Sequence, residues 1–286
     1  MCQEKRIVVG VLVLSFVLIV SSTHASKPTV NRRGYLLSKG FGSDTSEQIT
    51  EATKCKDNFL VRSMAFELLK ERMGKGAIPA LKKGLDDEQF HVRRKVARLL
   101  GQLNDKSAIK RMKQDLKEFA PNNGMAVPVD PKITDANEIE SIRNKRNYRL
   151  LEACRAGFVL AEMGDASGYE LAARVALEGE WPGIRGEAVK CLAYIAAIDK
   201  RTPVMEDMDA VAVLKGLAET ETNNRVLRDI MGNVGVKLDH DTAIEILEII
   251  KNAPNKLEIT RREVQEVLNY LIKRRIAYDK KRIEKH

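Results

Sequence analysis

The stretch VRRKVARLLGQLND, at residues 92–105, decides the fold of this chain. Its apolar residues recur at spacings of three and four, which places them on one stripe of an α-helix. These residues are Val92, Val96, Leu99, Leu100 and Leu103. Gly101 allows a neighbouring helix to approach closely, and the Asn-Asp pair after Leu103 is typical of a helix end followed by a new cap. The stretch therefore predicts the second helix of a helix–turn–helix unit.

A shorter amphipathic helix is predicted just upstream, in AIPALKKGL at residues 77–85, where Pro79 falls in the first turn. Degraded copies of the second helix stand at residues 61–74, 152–165 and 184–197. A pair of helices this thin cannot bury its apolar faces alone, so it must stack on neighbouring pairs. The repeated pattern therefore predicts one elongated all-α array with a continuous core.

The sequences IPALKKGLDD and VRRKVARLLGQLND resemble HEAT repeats, in particular the short HEAT-like repeats of the phycobilin lyase type. IRGEAVKCLAYIA, at residues 184–196, is a second good match. The resemblance covers residues 44–276 and implies an α-solenoid of about six helix pairs. It leaves the function open, because this repeat serves many proteins.

The resemblance also gives a role to the arginine that follows Val or Ile near the start of three second helices. In HEAT-like repeats this arginine usually bonds to the neighbouring repeat and belongs to the scaffold. The residues are Arg62, Arg93 and Arg185. The alternative is a row of guanidinium groups that binds an anionic ligand.

Two segments are predicted to precede the array. Residues 1–25 have the pattern of a signal peptide, with Lys5 and Arg6 before an apolar run and small residues at the cleavage position. Residues 26–43 lack periodicity, are rich in Gly and Ser, and predict a flexible leader. We therefore expect an exported protein, periplasmic or secreted, with an uncleaved membrane anchor as the alternative.

An insertion is predicted to interrupt the array at residues 120–146. Its first part, APNNGMAVPVDP, contains three of the eight prolines and a turn signal. Asp135 and Glu138 then fit a capping box that restarts a helix. Irregular segments longer than about 12–15 residues are usually functional or disordered, so we expect the insertion to add binding specificity.

The sequence contains no motif that would indicate catalysis, a cofactor or a metal site. It lacks Cys-x-x-Cys, His-Glu-x-x-His, a Gly-rich phosphate loop and a Gly-x-Ser-x-Gly elbow. Asp241 as a helix cap is favoured over His240 as a metal ligand. The repeat register places Cys154 and Cys191 too far apart for a disulfide, and Cys191 is expected in the core. We expect a non-catalytic protein without cofactor or metal.

The exposed positions of the second helices are the candidate binding surface. Equivalent positions carry both signs of charge and several aromatic residues, which favours a protein or peptide partner over nucleic acid despite the net charge of +9. With the single tryptophan, which lies in a turn, the candidate contact residues are Arg94, Arg98, Gln102, Phe158, Glu162, Trp181, Lys190 and Tyr194.

The last predicted helix and the basic tail at residues 277–286 suggest a second contact surface. Leu268, Ile272 and Ile276 share a helix face with basic residues beside it. Contact with an anionic membrane surface or an acidic partner is one interpretation, and a polar end cap is the other. The candidate residues are Lys273, Arg274, Arg275, Lys280, Lys281 and Arg282. The resemblance to phycobilin lyases leaves small-ligand handling by a lyase-like protein as a further alternative.

Overall fold

The computed structural model describes residues 31–120, 133–199 and 209–283. These residues form thirteen α-helices and one short 3-10 turn, and no strand occurs among them. No helix in these ranges is long and apolar enough to cross a membrane. The predicted signal peptide at 1–25, the first five residues of the predicted leader, and residues 121–132 of the predicted insertion lie outside the described residues.

Twelve of the helices form six consecutive pairs after a short first helix, as the repeat pattern predicted. Their bounds, in chain order, are α1 Arg32–Ser38; α2 Ser46–Ala52 with α3 Phe59–Met73; α4 Ile78–Gly84 with α5 Phe90–Gln102; α6 Ile109–Phe119 with α7 Ala136–Glu162; α8 Tyr169–Glu178 with α9 Pro182–Asp199; α10 Ala210–Thr220 with α11 Asn224–Lys237; and α12 His240–Asn252 with α13 Glu258–Ile283.

The second helices stack one on the next, α3 on α5, α5 on α7, α7 on α9, α9 on α11 and α11 on α13. The apolar stripe that defined α5 faces the core. Val92, Val96 and Leu100 are fully buried, and Leu99 is nearly so. A Cβ atom on Gly101 would lie 3.2 Å from Met163 Cγ at the end of α7, so the glycine permits this close approach. The all-α fold with stacked pairs is confirmed.

The repeated arginines tie consecutive pairs together. Arg62 donates to Asp87 in the turn of the second pair, at 2.6 Å. Arg93 donates to the buried Asp115 on α6, at 2.7 Å, and Arg185 donates to Glu221 in the turn of the fifth pair, at 3.1 Å. Each arginine also donates to backbone carbonyl oxygens at the turn of its own pair. The predicted scaffold role of these arginines is confirmed. The alternative prediction, that the three form a row that binds an anion, is wrong because their guanidinium groups are bonded within the array.

The prediction of a flexible leader is wrong for residues 31–43. Helix α1 forms there because Asn31 caps it, accepting a hydrogen bond from the Gly34 N–H, and because Leu36 is fully buried. Arg32 adds two ion pairs, to Glu67 at 2.6 Å and to Glu71 at 2.7 Å. The segment is therefore part of the array and covers the exposed end of the first pair.

The predicted helix restart at Asp135 is confirmed, and the helix that begins there runs from the predicted insertion into the stacked part of the array. The Asp135 side chain accepts hydrogen bonds from the N–H groups of Asn137 and Glu138. Helix α7 then continues without a break for 27 residues, because nothing in its sequence stops it before the stacked part begins. Arg149 holds it to α6 by donating to the Glu118 carbonyl oxygen at 2.6 Å.

A basic tail separate from the last helix was predicted to begin at residue 277. This prediction is wrong for residues 277–283, which belong to the helix. Helix α13 runs through the predicted boundary and ends at Ile283. No glycine or proline occurs between Glu258 and Ile283, so the helix has no local signal to stop. Its buried residues end at Leu271, and residues 272–277 are exposed.

Candidate functional site

Five of the predicted contact residues come together on neighbouring second helices. Phe158 of α7 and Tyr194 of α9 meet edge to face, with ring centroids 4.7 Å apart. Arg98 of α5 lies over the Phe158 ring at 5.4 Å, and Lys190 of α9 lies over the same ring at 4.3 Å. Glu162 pairs with Arg98. The repeat register accounts for this arrangement, since equivalent positions of stacked helices lie side by side.

Lys237 at the end of α11 belongs to the same site, although the sequence did not indicate it. Its Nζ atom lies 3.8 Å from the centroid of the Tyr194 ring. We call the group formed by Arg98, Phe158, Lys190, Tyr194 and Lys237 the ring cluster. Its signal in the sequence is its distance from the helix start: Lys237 follows the cap Asn223 by fourteen residues, nearly the thirteen by which Gln102 follows the cap Gln89.

The charges of the ring cluster are only partly neutralised. Arg98 makes a bidentate pair with Glu162, with distances of 2.6 and 2.8 Å. Lys190 and Lys237 form no ion pair with any described residue. Both ammonium groups rest on ring faces, an arrangement that stabilises a cation but leaves its charge in place.

Phe158 was predicted to be an exposed contact residue. This prediction is wrong, because only 3% of the residue is accessible to solvent. Arg98 and Lys190 cover its ring, and Tyr194 closes its edge. Phe158 therefore forms the floor of the cluster. The half-buried Tyr194 and the two lysines form the surface that a partner could touch.

The other three predicted residues lie outside the ring cluster. Trp181, which is 39% exposed, precedes Tyr194 by thirteen residues, or about 20 Å along the helix axis. Gln102 is exposed in the last turn of α5. Arg94 lies one turn before Arg98 and contacts His91 Nδ1 at 3.4 Å. Only Arg94 and Gln102 can extend the cluster along α5.

Two ionisable groups on this face, Arg94 and Asp229, are half-buried and form no ion pair with a described residue. Burial lowers the pKa of Arg94, and the neighbouring Arg155 lowers it further. Burial raises the pKa of Asp229 on α11, and the negative charge of Glu187 raises it further. The positive charges of Arg225 and Lys190 lower it, but by less. A Cβ atom on Gly186 would overlap the Asp229 carboxylate, so that glycine makes room for it. Neither group forms an ion pair within the described ranges.

The predicted surface of the last helix is exposed where it is described. Ile272 and Ile276 are 43% and 52% exposed, and Lys273 and Arg274 lie exposed between them. Arg275 pairs with Asp241 on α12. The side chains of Lys280, Lys281 and Arg282 lie outside the described residues.

In the part of the chain that the structure describes, the cysteines form no disulfide and the acidic and histidine side chains form no metal-binding group. Cys154 and Cys191 are free and buried. Burial raises the pKa of Cys191 to about 12 and that of Cys154 well above its usual range, so both remain thiols at neutral pH. In the described ranges no group of three His, Cys, Asp or Glu side chains could hold a metal ion. Helix α12 is capped by Asp239, which accepts from the Thr242 N–H, and not by Asp241.

Comparison with known proteins identifies the repeat. Residues 46–119 match the family model of HEAT repeats. This segment spans the first two pairs and the first helix of the third pair, and it includes the stretch that decided the fold. The resemblance to HEAT repeats is thereby confirmed for this part of the chain, while the match does not distinguish the phycobilin lyase type. No curated protein matches the chain.

Proposed function

We propose that this chain is an exported, non-catalytic HEAT-repeat scaffold that binds a protein or peptide partner on the face of its second helices. The ring cluster carries the proposal. It joins the four consecutive second helices α5, α7, α9 and α11, and it presents Tyr194 with two lysines that form no ion pair with a described residue. Repeat arrays commonly use such extended faces for binding proteins.

The chemistry of the cluster indicates the kind of segment that it binds. Tyrosine and arginine are enriched in protein interfaces, where a ring supplies apolar area at a low entropic cost. Lys190 and Lys237 would pair with carboxylates of the partner, and Tyr194 would pack against an apolar side chain between them. The preferred partner therefore has an acidic segment with at least one apolar residue.

In-cell crosslinking of the exported protein tests this proposal. A photoreactive residue at the exposed Gln102 should capture one protein. Lys190→Gln and Tyr194→Ala should each reduce that crosslink about tenfold, which corresponds to about 1.4 kcal/mol of binding energy. Lys110→Gln is the matched control, because Lys110 is exposed on the first helix α6. A crosslink that persists in both cluster variants would refute the proposed surface.

Two further measurements address export and the absence of catalysis. The amino terminus of the protein recovered outside the cytoplasm, read by mass spectrometry, should begin near residue 26. Retention of residues 1–25 would instead support the uncleaved anchor. An enzymatic activity that co-purifies with the protein and is lost with one polar substitution would refute a purely binding role.

A second candidate function rests on the last helix. Ile272 and Ile276 continue the stripe of buried Val264, Leu268 and Leu271 beyond its last contact, with Lys273 and Arg274 beside them. An apolar stripe flanked by basic residues suits an anionic membrane surface. The protein should sediment with phosphatidylglycerol vesicles, and this binding should weaken with added salt. The double variant Ile272→Gln with Ile276→Gln should no longer sediment with them. Equal recovery with neutral vesicles would contradict it.

A further inference from the structure

A groove of about 730 Å³ lies where the long helix α7 passes the turn of the second pair. Its walls come from the start of α3, the turn before α5, the end of α6 and the middle of α7. Four aromatic side chains line it: Phe59, Phe90, Phe119 and Tyr148. The hydrogen bond from Arg149 to the Glu118 carbonyl oxygen fixes one wall against another. The groove exists because α7 extends beyond the stacked part of the array.

The aromatic rings form a floor and two open walls. Phe90, which is 8% exposed, meets Phe119 at a centroid distance of 4.9 Å and forms the floor. Phe59 is 39% exposed and contacts His91 at 5.4 Å. Tyr148 is 60% exposed and makes no ring contact within the described residues. The two exposed rings leave their faces available to a ligand.

Each of the three arginines that line the groove lies near a carboxylate, and Arg93 and Arg111 share that of Asp115. Arg93 pairs with Asp115 at 2.7 Å, and the Nε atom of Arg111 lies 3.4 Å from the same carboxylate. Arg155 pairs with Glu152 at 2.7 Å. Burial lowers the pKa of His91, as do the neighbouring arginines and Lys95, so the imidazole is mainly neutral at pH 7.

The exposed carboxylates of the groove have few partners of their own. Asp86 and Glu118 form no ion pair with any described residue, and Glu88 has only a 3.6 Å contact with Arg62. In this groove the three exposed carboxylates therefore outnumber the one arginine charge that remains where Arg93 and Arg111 share Asp115. Aromatic faces beside carboxylates are the environment that an arginine or lysine side chain prefers.

We propose that this groove binds an arginine or lysine side chain from a basic peptide segment of a partner. Tyr148 and Phe59 pack against the methylene groups and the cation, and Glu88 and Glu118 neutralise its charge. The site is separate from the ring cluster, where the unneutralised charges are mainly positive. A partner with an acidic and a basic segment would engage both sites in one direction only.

Fluorescence anisotropy with a defined probe tests the proposal on the full chain without its signal segment. The probe is a labelled short peptide of alternating arginine and leucine, and its counterpart has glutamate in place of arginine. The double variant Glu88→Gln with Glu118→Gln should weaken binding of the arginine peptide about tenfold, as should Tyr148→Ala. The matched controls are Glu178→Gln and Tyr270→Ala, at an exposed carboxylate on α8 and an exposed ring on α13. All five substituted residues are exposed, so the fold should be retained, and equal unfolding midpoints of the variants and the parent check this.

Three outcomes would overturn the proposal. They are the absence of binding, equal binding of the glutamate peptide, and a loss in the control variants as large as that in the groove variants. Lys190→Gln in the ring cluster should leave binding of the arginine peptide unchanged. The experiments can therefore refute the proposal about the groove without refuting the proposed function, and the reverse.

Discussion

At the scale of single residues, the arginines that tie the pairs together contribute stability through burial. Arg93 and Asp115 are 5% and 0% exposed, and Arg93 also donates to two carbonyl oxygens. Removing one member of a buried pair leaves an uncompensated charge, which costs about 3–5 kcal/mol. Arg111 remains near Asp115 in the Arg93→Ala variant. We therefore expect this variant to lose about 3 kcal/mol of unfolding free energy, at the lower end of that range. Urea unfolding monitored by circular dichroism measures this cost.

Two variants serve as controls for that prediction. Arg93→Met combined with Asp115→Leu removes both charges and should recover part of the loss, because the fully buried Asp115 carboxylate no longer lacks Arg93. Arg262→Ala breaks a pair whose members are 73% and 65% exposed and should have little effect. A double variant less stable than Arg93→Ala would contradict this account of the pair.

Asp229 gives a pH-dependent prediction at the same scale. Its pKa is raised in the folded protein, chiefly by burial, so the carboxylate form costs stability. Stability is therefore lost as pH rises from the unfolded pKa of about 3.9 through the raised folded pKa. Asp229→Asn should be more stable than the parent at pH 7, and this difference should disappear near pH 3. Unfolding midpoints of both proteins across this range test it, and a parent that is more stable at pH 7 would contradict it.

At the scale of helices, local signals predicted most of the array but not the contacts between distant segments. The stripe of α5 and the cap at Asp135 are local, so the sequence could reveal them. Helix α1 was missed because it depends on Leu36 packing against α3 and on Arg32 reaching Glu67. The register predicted that Arg98, Phe158 and Lys190 would be neighbours. It could not predict that Phe158 is buried, since its cover comes from two other helices.

The last helix supplies a prediction about local stability. Residues 272–277 of α13 are exposed, whereas Val264, Leu268 and Leu271 are packed in the core. A helical segment that buries no side chain against the rest of the protein is marginal in water. Its amides should therefore exchange with deuterium much faster than those of residues 264–271. Hydrogen exchange with mass spectrometry measures the contrast, and equal protection would show that another surface covers the segment.

At the scale of the whole molecule, the family match and the structure have different extents. The match to HEAT repeats covers residues 46–119, while the same helix pairing continues to residue 283. The later pairs keep the architecture with altered residues. In the fifth pair, for example, Val226 and Leu227 follow the cap Asn223 by three and four residues, at the place where the first two pairs carry Val-Arg after their caps. The fold of these pairs persists because the buried stripe persists, although the sequence motif fades.

This linear arrangement determines how a local defect spreads. The fully buried Leu100 lies in the second pair, and Leu100→Ala should cost about 2–5 kcal/mol. Because the helices of each pair pack on those of adjacent pairs, the loss of protection should reach the first and third pairs before the others. Leu214→Ala, at a fully buried leucine of α10, is the matched variant and should loosen the fourth and sixth pairs instead. Hydrogen exchange that shows both variants loosening the same pairs would mean that the array unfolds as one cooperative unit, and the nearest-neighbour description would then fail.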